Sequence, residues 1–98
     1  MSASTSTDWI PGTASYYGKG DGLNGRKTAN GEILNSIDLT AAHRTLPFNS
    51  YVRVRVVGTE PEVLVRINDR GPYSPGRLID LNYGGAKKIG LDRLGLLK

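Results

Sequence analysis

A period-two alternation from Val63 to Asn68 constrains the fold of this chain more than any other stretch. Its aliphatic residues at positions 63, 65 and 67 predict a β-strand with one buried face. Continued by one step, the alternation puts Asp69 on that buried face. The strand should end there, because Gly71-Pro72 is typical of a turn and proline cannot donate to a strand ladder. The sequence therefore predicts a carboxylate at the rim of a small barrel or sandwich.

The predicted position of Asp69 leaves two roles open. A carboxyl group at a partly desolvated rim is suited to general-acid catalysis. A turn aspartate also commonly bonds the backbone N–H groups of its own turn, and this is the more frequent role. The residues alone therefore favour a structural role for Asp69, with catalysis as the alternative.

The composition indicates one small domain built from strands. With 98 residues, the chain is long enough for a single modest core. Hydrophobic residues make up 38% of the sequence and glycine occurs 13 times, which favours many short strands and turns over long helices. The formal charge of +4 is scattered rather than clustered, so it indicates a solvated outer face. Nucleic acid is not an expected partner, because that hypothesis rests on charge alone.

Several absences limit the chemistry of the chain. It has no cysteine, and its single histidine, His43, cannot form a zinc site by itself, so no metal or organic cofactor is predicted. No apolar run approaches the roughly 20 residues that a membrane helix requires. Residues 1–8 lack the apolar core of a signal peptide, so we expect no export signal in this chain. We expect residues 1–11 to form a flexible N-terminal linker, residues 12–98 to form the domain, and the protein to be a monomer.

Further short strands and a short helix are predicted around the central strand. The predicted strands are Gly12–Tyr17, Leu39–Arg44, Tyr51–Val57 and Arg77–Leu81. The turn at Gly58–Pro61 should join the strand before it to the central strand as a hairpin. Asn82 is a predicted N-cap for a helix over Tyr83–Ile89, and Gly90 is predicted to end that helix.

Three more side chains are candidates for chemistry, each with a plainer alternative. The Asn30-Gly31 turn presents Glu32, although an exposed glutamate is usually only a solvated charge. His43 follows small residues in a predicted strand, and a lone histidine is more often a hydrogen-bonded structural residue than a catalytic one. Asp80 precedes the predicted helix, where we expect it to bond backbone groups.

Blocks of sequence, in order and spacing, resemble the rare lipoprotein A family over roughly residues 12–95. The blocks are TASYYG (13–18), GRKTANGE (25–32), LTAAHRTLPF (39–48), VRINDRGP (65–72) and GRLIDL (76–81). The resemblance implies an all-β fold, a small six-stranded double-psi β-barrel with one or two short helices. It also implies a location in the bacterial cell envelope, in the periplasm or outside the cell.

The resemblance further implies an enzyme, a lytic transglycosylase that acts on the glycan strands of peptidoglycan. Such an enzyme cleaves the β-1,4 bond between MurNAc and GlcNAc, prefers strands stripped of stem peptides, and leaves 1,6-anhydro ends. One carboxyl group can act first as acid and then as base, because the C6 hydroxyl of the sugar is the nucleophile. Asp69 matches a functional position of the family and is the candidate for that role. Glu32 matches as a second carboxylate, and His43 matches as a group that bonds a carboxylate or a sugar hydroxyl.

Five further residues are candidates for binding the substrate: Tyr16, Tyr17, Asn30, Arg70 and Tyr73. The tyrosines can stack on sugar rings, but packing in the core or at the rim is an equal alternative. Arg70 should point away from Asp69 if the strand stays extended, which favours a structural role for the arginine.

The sequence departs from the family pattern at several positions. Leu23 stands where an aromatic residue is common. Asn49 replaces a usual glycine, whose left-handed backbone asparagine tolerates. Gly84-Gly85 stands in place of Ala-Ala, and the last apolar segment, Asp92–Lys98, looks short.

A binding module without catalysis is the alternative function. An expansin-like barrel grips peptidoglycan or another polysaccharide and leaves its bonds intact. The same candidate residues would then be hydrogen-bonding groups in a groove. Loss of turnover on mutation, with binding retained, would favour the enzyme.

Overall fold

The described part of the chain folds into one mixed β-sheet and one short helix. The computed structural model describes residues 2–4, 9–18 and 22–91. The strands are β1 (Ser2–Ser4), β2 (Ile10–Pro11), β3 (Thr13–Tyr17), β4 (Thr40–Ala42), β5 (Tyr51–Arg55), β6 (Glu62–Asp69) and β7 (Arg77–Asn82), and the helix is α1 (Tyr83–Lys88). The sheet has the order β2-β1-β5-β6-β4-β7-β3, in which β4–β6 and β3–β7 are parallel pairs. The predicted all-β class is confirmed.

Strands β5 and β6 form the antiparallel hairpin that the sequence predicted, and they supply the centre of the core. Val52 pairs with Val65 and Val54 pairs with Val63, and all four side chains are buried. Burying one such side chain contributes roughly 1.5–3 kcal/mol. The other strands and the helix complete the same core with Ala14, Ala41, Ile79, Leu81 and Ala86. The sheet therefore curls around one apolar centre.

Two short strands lie within the stretch that the sequence predicted as a linker. Ser2–Ser4 pairs both with β5 and with Ile10–Pro11. Trp9 lies beside this edge, with the guanidinium carbons of Arg53 and Arg55 at 4.8 and 4.0 Å from its ring centre. Residues 1, 5–8 and 92–98, which include the predicted last apolar segment, lie outside the described residues. The division into a linker over 1–11 and a domain over 12–98 stays a prediction.

Strand β4 lies between β6 and β7 and pairs with both. It has three residues, Thr40–Ala42, and all three are buried. On the core face, Ala41 pairs with Ile67 of β6 and with Leu81 of β7. Small side chains suit this position, because the strand is enclosed by neighbours on both edges and by the core.

A β-bulge in β6 decides the face on which Asp69 lies. Ala41 of β4 pairs with Ile67 of β6, but the next residue of β4, Ala42, pairs with Asp69. Asn68 is therefore an extra residue in β6. Paired residues share a face of the sheet, so Asp69 lies on the face of Ala42 and not on the core face of Ile67. The prediction that Asp69 continues the buried face was wrong, because simple alternation omits the extra residue, Asn68. Asp80 pairs with the other edge of Ala42, so the two carboxylates share one face.

Asn82 fixes the start of the helix and joins it to a distant turn. Its Oδ1 accepts a hydrogen bond from the backbone N–H of Tyr83 at 2.9 Å, as predicted for an N-cap. Its Nδ2 donates to the backbone carbonyls of Asn35 and Asp38 at 2.7 and 3.0 Å. The side chain of Asn82 is fully buried, so these bonds satisfy polar groups that would otherwise destabilise the fold.

The helix is short and lies directly on the turn that precedes β4. It ends at Lys88, one residue before the predicted end, and Gly90 follows with φ +79° in the predicted left-handed position. The described residues contain no helix long and apolar enough to cross a membrane.

A Cβ atom at Gly84 would lie 2.7 Å from the carbonyl carbon of Ile37 and closer still to its oxygen. Gly84 is therefore required by contact with a backbone, and the helix is held by packing, as its two glycines suggested.

Replacing Gly84 by alanine should destabilise the protein. The intrinsic helix preference of alanine favours the change by about 1 kcal/mol, but the backbone of Ile37 must move, and overpacking of this kind costs about 1–3 kcal/mol or more. We expect a net loss of unfolding free energy for Gly84→Ala in urea titrations. Gly85→Ala is the matched control, because its Cβ would lie 3.2 Å from a methyl group of Val65 and not from a backbone. Equal stability of the two variants would contradict this account of Gly84.

Candidate active site

An open pocket of about 190 Å³ lies on the face of the sheet that carries the two carboxylates. It is lined by Tyr17, Leu23, Ala42, Asp69, Arg70 and Asp80. Pockets that enclose a drug-sized ligand measure roughly 300–1,000 Å³. This pocket is smaller, so it can hold only part of a longer ligand.

Asp69 is held by backbone groups from two segments. Its Oδ1 accepts hydrogen bonds from the backbone N–H groups of Ala29 at 2.9 Å and Arg70 at 2.8 Å. The turn-bonding role that the residues alone favoured is therefore present. It does not exclude a chemical role, because the same carboxylate lines the pocket.

Asp80 is the pocket residue that sequence reasoning missed. Its side chain accepts no hydrogen bond from the described residues, and its Oδ1 is buried without a partner. The prediction that Asp80 bonds backbone groups before the helix was wrong, because its strand pairing turns the carboxylate towards the pocket. Burial raises the pKa of Asp80, the charge of Asp69 raises it further, and Arg77 opposes both effects. The site depends on the long-range pairing of Asp80 and Asp69 with Ala42, and local sequence patterns do not predict that pairing.

Tyr17 contributes a neutral phenol to the pocket. Its hydroxyl is buried and has no hydrogen-bond partner among the described residues. Burial raises the pKa of Tyr17 well above its ordinary value, and the charges of Asp69 and Asp80 add to this, while the nearby Thr40 side chain opposes it. Tyr17 therefore keeps its proton at any physiological pH and is available as a hydrogen-bond donor.

Glu32 lies away from the pocket lining, in an ion pair with Arg66. Each carboxylate oxygen accepts from one guanidinium nitrogen at 2.9 Å, and Oε1 also accepts from Nδ2 of Asn68 at 3.1 Å. Arg66 also donates to Oδ1 of Asn49 at 2.9 Å. Asn49 has a φ of +70°, which is the left-handed backbone that the sequence predicted at this position. The hydrogen bonds from Arg66 lower the pKa of Glu32 from 4.5 to about 2, with a smaller contribution from Asn68. Glu32 is therefore ionised at neutral pH and has no proton to donate.

His43 bonds to the chain around the pocket and does not line it. Its Nδ1 accepts from the backbone N–H groups of Thr45 and Leu46 at 3.2 and 3.1 Å, so the ring proton is on Nε2. Burial lowers the pKa of His43, and the charges of Arg44 and Arg70 lower it further, which keeps the imidazole neutral.

The backbone of His43 connects it to the pocket. Its N–H donates to the carbonyl of Asp69 at 3.3 Å, and its own carbonyl accepts from the guanidinium of Arg70 at 3.2 Å. A change at His43 would therefore reach the pocket through the backbone of Asp69 and the side chain of Arg70.

The predicted sugar-binding residues divide into two groups. Tyr17 and Arg70 line the pocket together with Asp69. The sequence predicted that Arg70 points away from Asp69 if the strand stays extended, but β6 ends at Asp69, so this condition is not met. Tyr16 packs against the core and the ring of Tyr83, with 6.1 Å between the ring centres. Two other candidates lie outside the lining: Asn30, whose Oδ1 accepts from the Thr28 hydroxyl and the Glu32 N–H, and Tyr73, which is 75% exposed.

Most glycoside-cleaving enzymes use a pair of carboxyl groups, and this curled sheet places two at an open pocket. The sequence matches the family described as "Lytic transglycolase" over residues 10–98, so the chain belongs to this family. The predicted resemblance to the rare lipoprotein A family and its double-psi β-barrel is thereby confirmed.

Curated relatives support the same assignment. The probable endolytic peptidoglycan transglycosylase RlpA of Nostoc sp. is 54% identical over 80 residues, which are 82% of this chain and 22% of that protein. The endolytic peptidoglycan transglycosylase RlpA of Haemophilus influenzae is 53% identical over 85 residues, 87% of this chain and 29% of that protein. The protein of the same name from Vibrio cholerae is 49% identical over 84 residues, 86% of this chain and 31% of that protein. The chain thus spans less than a third of the length of each of these relatives.

The ion pair of Glu32 should make the stability of the protein depend on pH. The folded state lowers the pKa of Glu32 from 4.5 to about 2, so the stabilisation is complete above pH 4.5 and is lost as the pH falls towards 2. The Glu32 side chain is 39% exposed, so we expect Glu32→Gln to lose only about 1 kcal/mol at pH 7. Urea titrations at several pH values measure this difference, which should vanish near pH 2. Glu62→Gln, at an exposed glutamate of β6, is the control, and a pH-independent loss in Glu32→Gln would contradict the ion-pair account.

Proposed function

We propose that this chain is the catalytic barrel of a peptidoglycan lytic transglycosylase. The reaction cleaves the β-1,4 bond between MurNAc and GlcNAc and leaves a 1,6-anhydro end. The observation that carries the proposal is the placement of Asp69 and Asp80 on either side of Ala42 at an open pocket. The names of the relatives support the same chemistry, although those proteins are longer than this chain.

In this proposal Asp69 is a catalytic carboxylate, and Glu32 and His43 are positioning residues. The Glu32–Arg66 ion pair fixes the loop whose Ala29 N–H holds Asp69. His43 acts from the other side, through its backbone bond to the carbonyl of Asp69. Either residue would then affect catalysis without contacting the sugar.

The proposed place of action is the bacterial cell envelope, where peptidoglycan glycan strands are the partner of the protein. A monomer is the proposed active form.

A preference for strands stripped of stem peptides is part of the proposal. Removal of the stem peptide leaves a free carboxylate on the lactyl group of MurNAc. Arg70 lines the pocket, and its guanidinium lies 3.9 Å from the ring centre of Phe48, which holds it in a fixed plane. A fixed guanidinium favours a free carboxylate over a peptide-capped one, because paired N–H groups match carboxylate geometry.

Asp69→Asn should strongly reduce cleavage and leave glycan binding in place. Loss of one charged group that stabilises the transition state costs roughly 10²–10³-fold in rate, so we expect at least a 100-fold fall in anhydro-ended fragments by mass spectrometry. Asp38→Asn is the matched control, because it removes a carboxylate at an exposed position outside the pocket lining. Pull-down on insoluble peptidoglycan measures binding by the same variants.

Two other outcomes would replace the proposed function. A folded parent protein that binds glycan and releases no fragments would be a binding module of the expansin type. Fragments with ordinary reducing ends would indicate hydrolysis, which requires an activated water in place of the C6 hydroxyl.

Arg70→Gln should reduce the preference for stripped strands. We expect the ratio of rates on stripped and peptide-bearing glycan to fall by about 10-fold, since one charged hydrogen-bonding pair is worth about 1.5–3 kcal/mol at most. Arg26→Gln, at an exposed arginine outside the pocket lining, is the control. An unchanged ratio with a lower rate on both substrates would assign Arg70 to support of the loop alone.

A further inference from the structure

We propose that Asp80, and not Asp69, carries the proton in this reaction, while Asp69 is the charged partner on the other side of the sugar. This inference rests on the proposed function and divides its two carboxylates into different roles. The distinction comes from their unequal surroundings in one pocket.

The strand register separates the two carboxylates across β4. Asp69 pairs with one edge of Ala42 and Asp80 pairs with the other edge. Two strand spacings put their Cα atoms roughly 9 Å apart. The methyl group of Ala42 between them is the smallest side chain that keeps a Cβ, so the space above it stays open. A sugar that enters this space has one carboxylate on each side.

Hydrogen bonding distinguishes the two groups. Oδ1 of Asp69 already accepts from two backbone N–H groups, at 2.8 and 2.9 Å, so this oxygen is occupied as a hydrogen-bond acceptor. Oδ1 of Asp80 is buried and has no donor among the described residues. A buried carboxyl group without donors is better satisfied as a neutral acid that donates its own proton to a ligand. The glycosidic oxygen of a bound glycan is such an acceptor.

The charged groups around Asp80 act in opposite directions. Asp69 of β6 faces it as a like charge, and Arg77 of its own strand opposes that charge with the larger effect. From β3, Tyr17 presents a neutral phenol, and Arg70 after β6 lies in the same pocket lining. β4 contributes the uncharged Ala42 between them.

Burial is the largest influence on the pKa of Asp80, and it raises that pKa. The protonated form therefore extends to higher pH than for an exposed aspartate, which is what a general acid requires.

The proposed step balances without any further reactant. Asp80 gives its proton to the bridging oxygen as the bond from C1 of MurNAc to that oxygen breaks. The C6 hydroxyl of MurNAc then attacks C1, forms the 1,6-anhydro bond, and returns its proton to the Asp80 carboxylate. The Asp69 side chain, held by two backbone N–H groups, lies on the other side of the sugar and stabilises the positive charge that develops at C1. The free GlcNAc hydroxyl leaves, and the enzyme regains its starting protonation state.

The test is the pH profile of the cleavage rate on stripped glycan for the parent and three variants. Asp80→Asn should lose at least about 100-fold at every pH. Arg77→Gln should move the alkaline limb of the profile to higher pH, because a positive charge beside the acid is removed. In Asp69→Asn, the alkaline limb of the residual activity should move to lower pH, because a negative charge that raises the pKa of Asp80 is removed. ¹³C NMR of labelled aspartate side chains then follows the titration of each carboxyl group directly, whether or not a variant is active.

The outcomes separate this inference from the proposed function. An alkaline limb that coincides with the titration of the Asp80 signal, identified by its absence in Asp80→Asn, supports the inference. A limb that follows the Asp69 signal, or a folded Asp80→Asn protein with near-parental activity, would overturn the inference and leave the transglycosylase in place. Absence of anhydro product from the parent would overturn the proposed function itself. Urea titration of Asp80→Asn checks its folding, and we expect no loss of stability because the replaced carboxylate has no hydrogen-bond partner.

Discussion

The pairing of strand β4 on both of its edges is the constraint on which the rest of the structure depends. It joins β6 to β7 across a strand of three small, buried residues, Thr40–Ala42. A larger side chain at Ala41 would enter the core, and one at Ala42 would fill the space between the two pocket aspartates. The same three residues therefore close the core on one face and open the pocket on the other, which couples the stability of the sheet to the shape of the site.

Polar contacts then fix the irregular segments around this framework. Asn82 ties the start of the helix to the turn before β4, and the Glu32–Arg66 pair ties the loop of residues 28–32 to β6. The second contact has a direct consequence for the site, because that loop supplies the Ala29 N–H that bonds Asp69. A glutamate that matches the functional pattern of a family can thus act by placing a backbone donor, without touching the ligand. This explains how Glu32 can matter to the site although it lies outside the pocket lining.

Local patterns predicted the parts of the fold that local forces determine. The alternation of valine with polar residues was sufficient for β5, β6 and their hairpin, and asparagine before a short apolar stretch was sufficient for the helix start. The bulge at Asn68 was not predictable, because it arises from the pairing of β6 with a strand more than twenty residues away. That one extra residue moved Asp69 to the opposite face and brought it level with Asp80. The resemblance to a family made Asp69, Glu32 and His43 candidates, but only the long-range register made Asp80 a candidate.

The unsatisfied polar atoms of the structure concentrate at this same place. Among the described residues, three buried side-chain atoms lack a hydrogen-bond partner, and two of them, on Tyr17 and Asp80, belong to the pocket. Each such group costs about 1–3 kcal/mol, a substantial amount for a domain of this size. The third, Oδ1 of Asn68, belongs to the residue that forms the bulge. In the proposed function, a bound glycan would complete the hydrogen bonds of the phenol and the carboxyl group that are unpaired at this pocket.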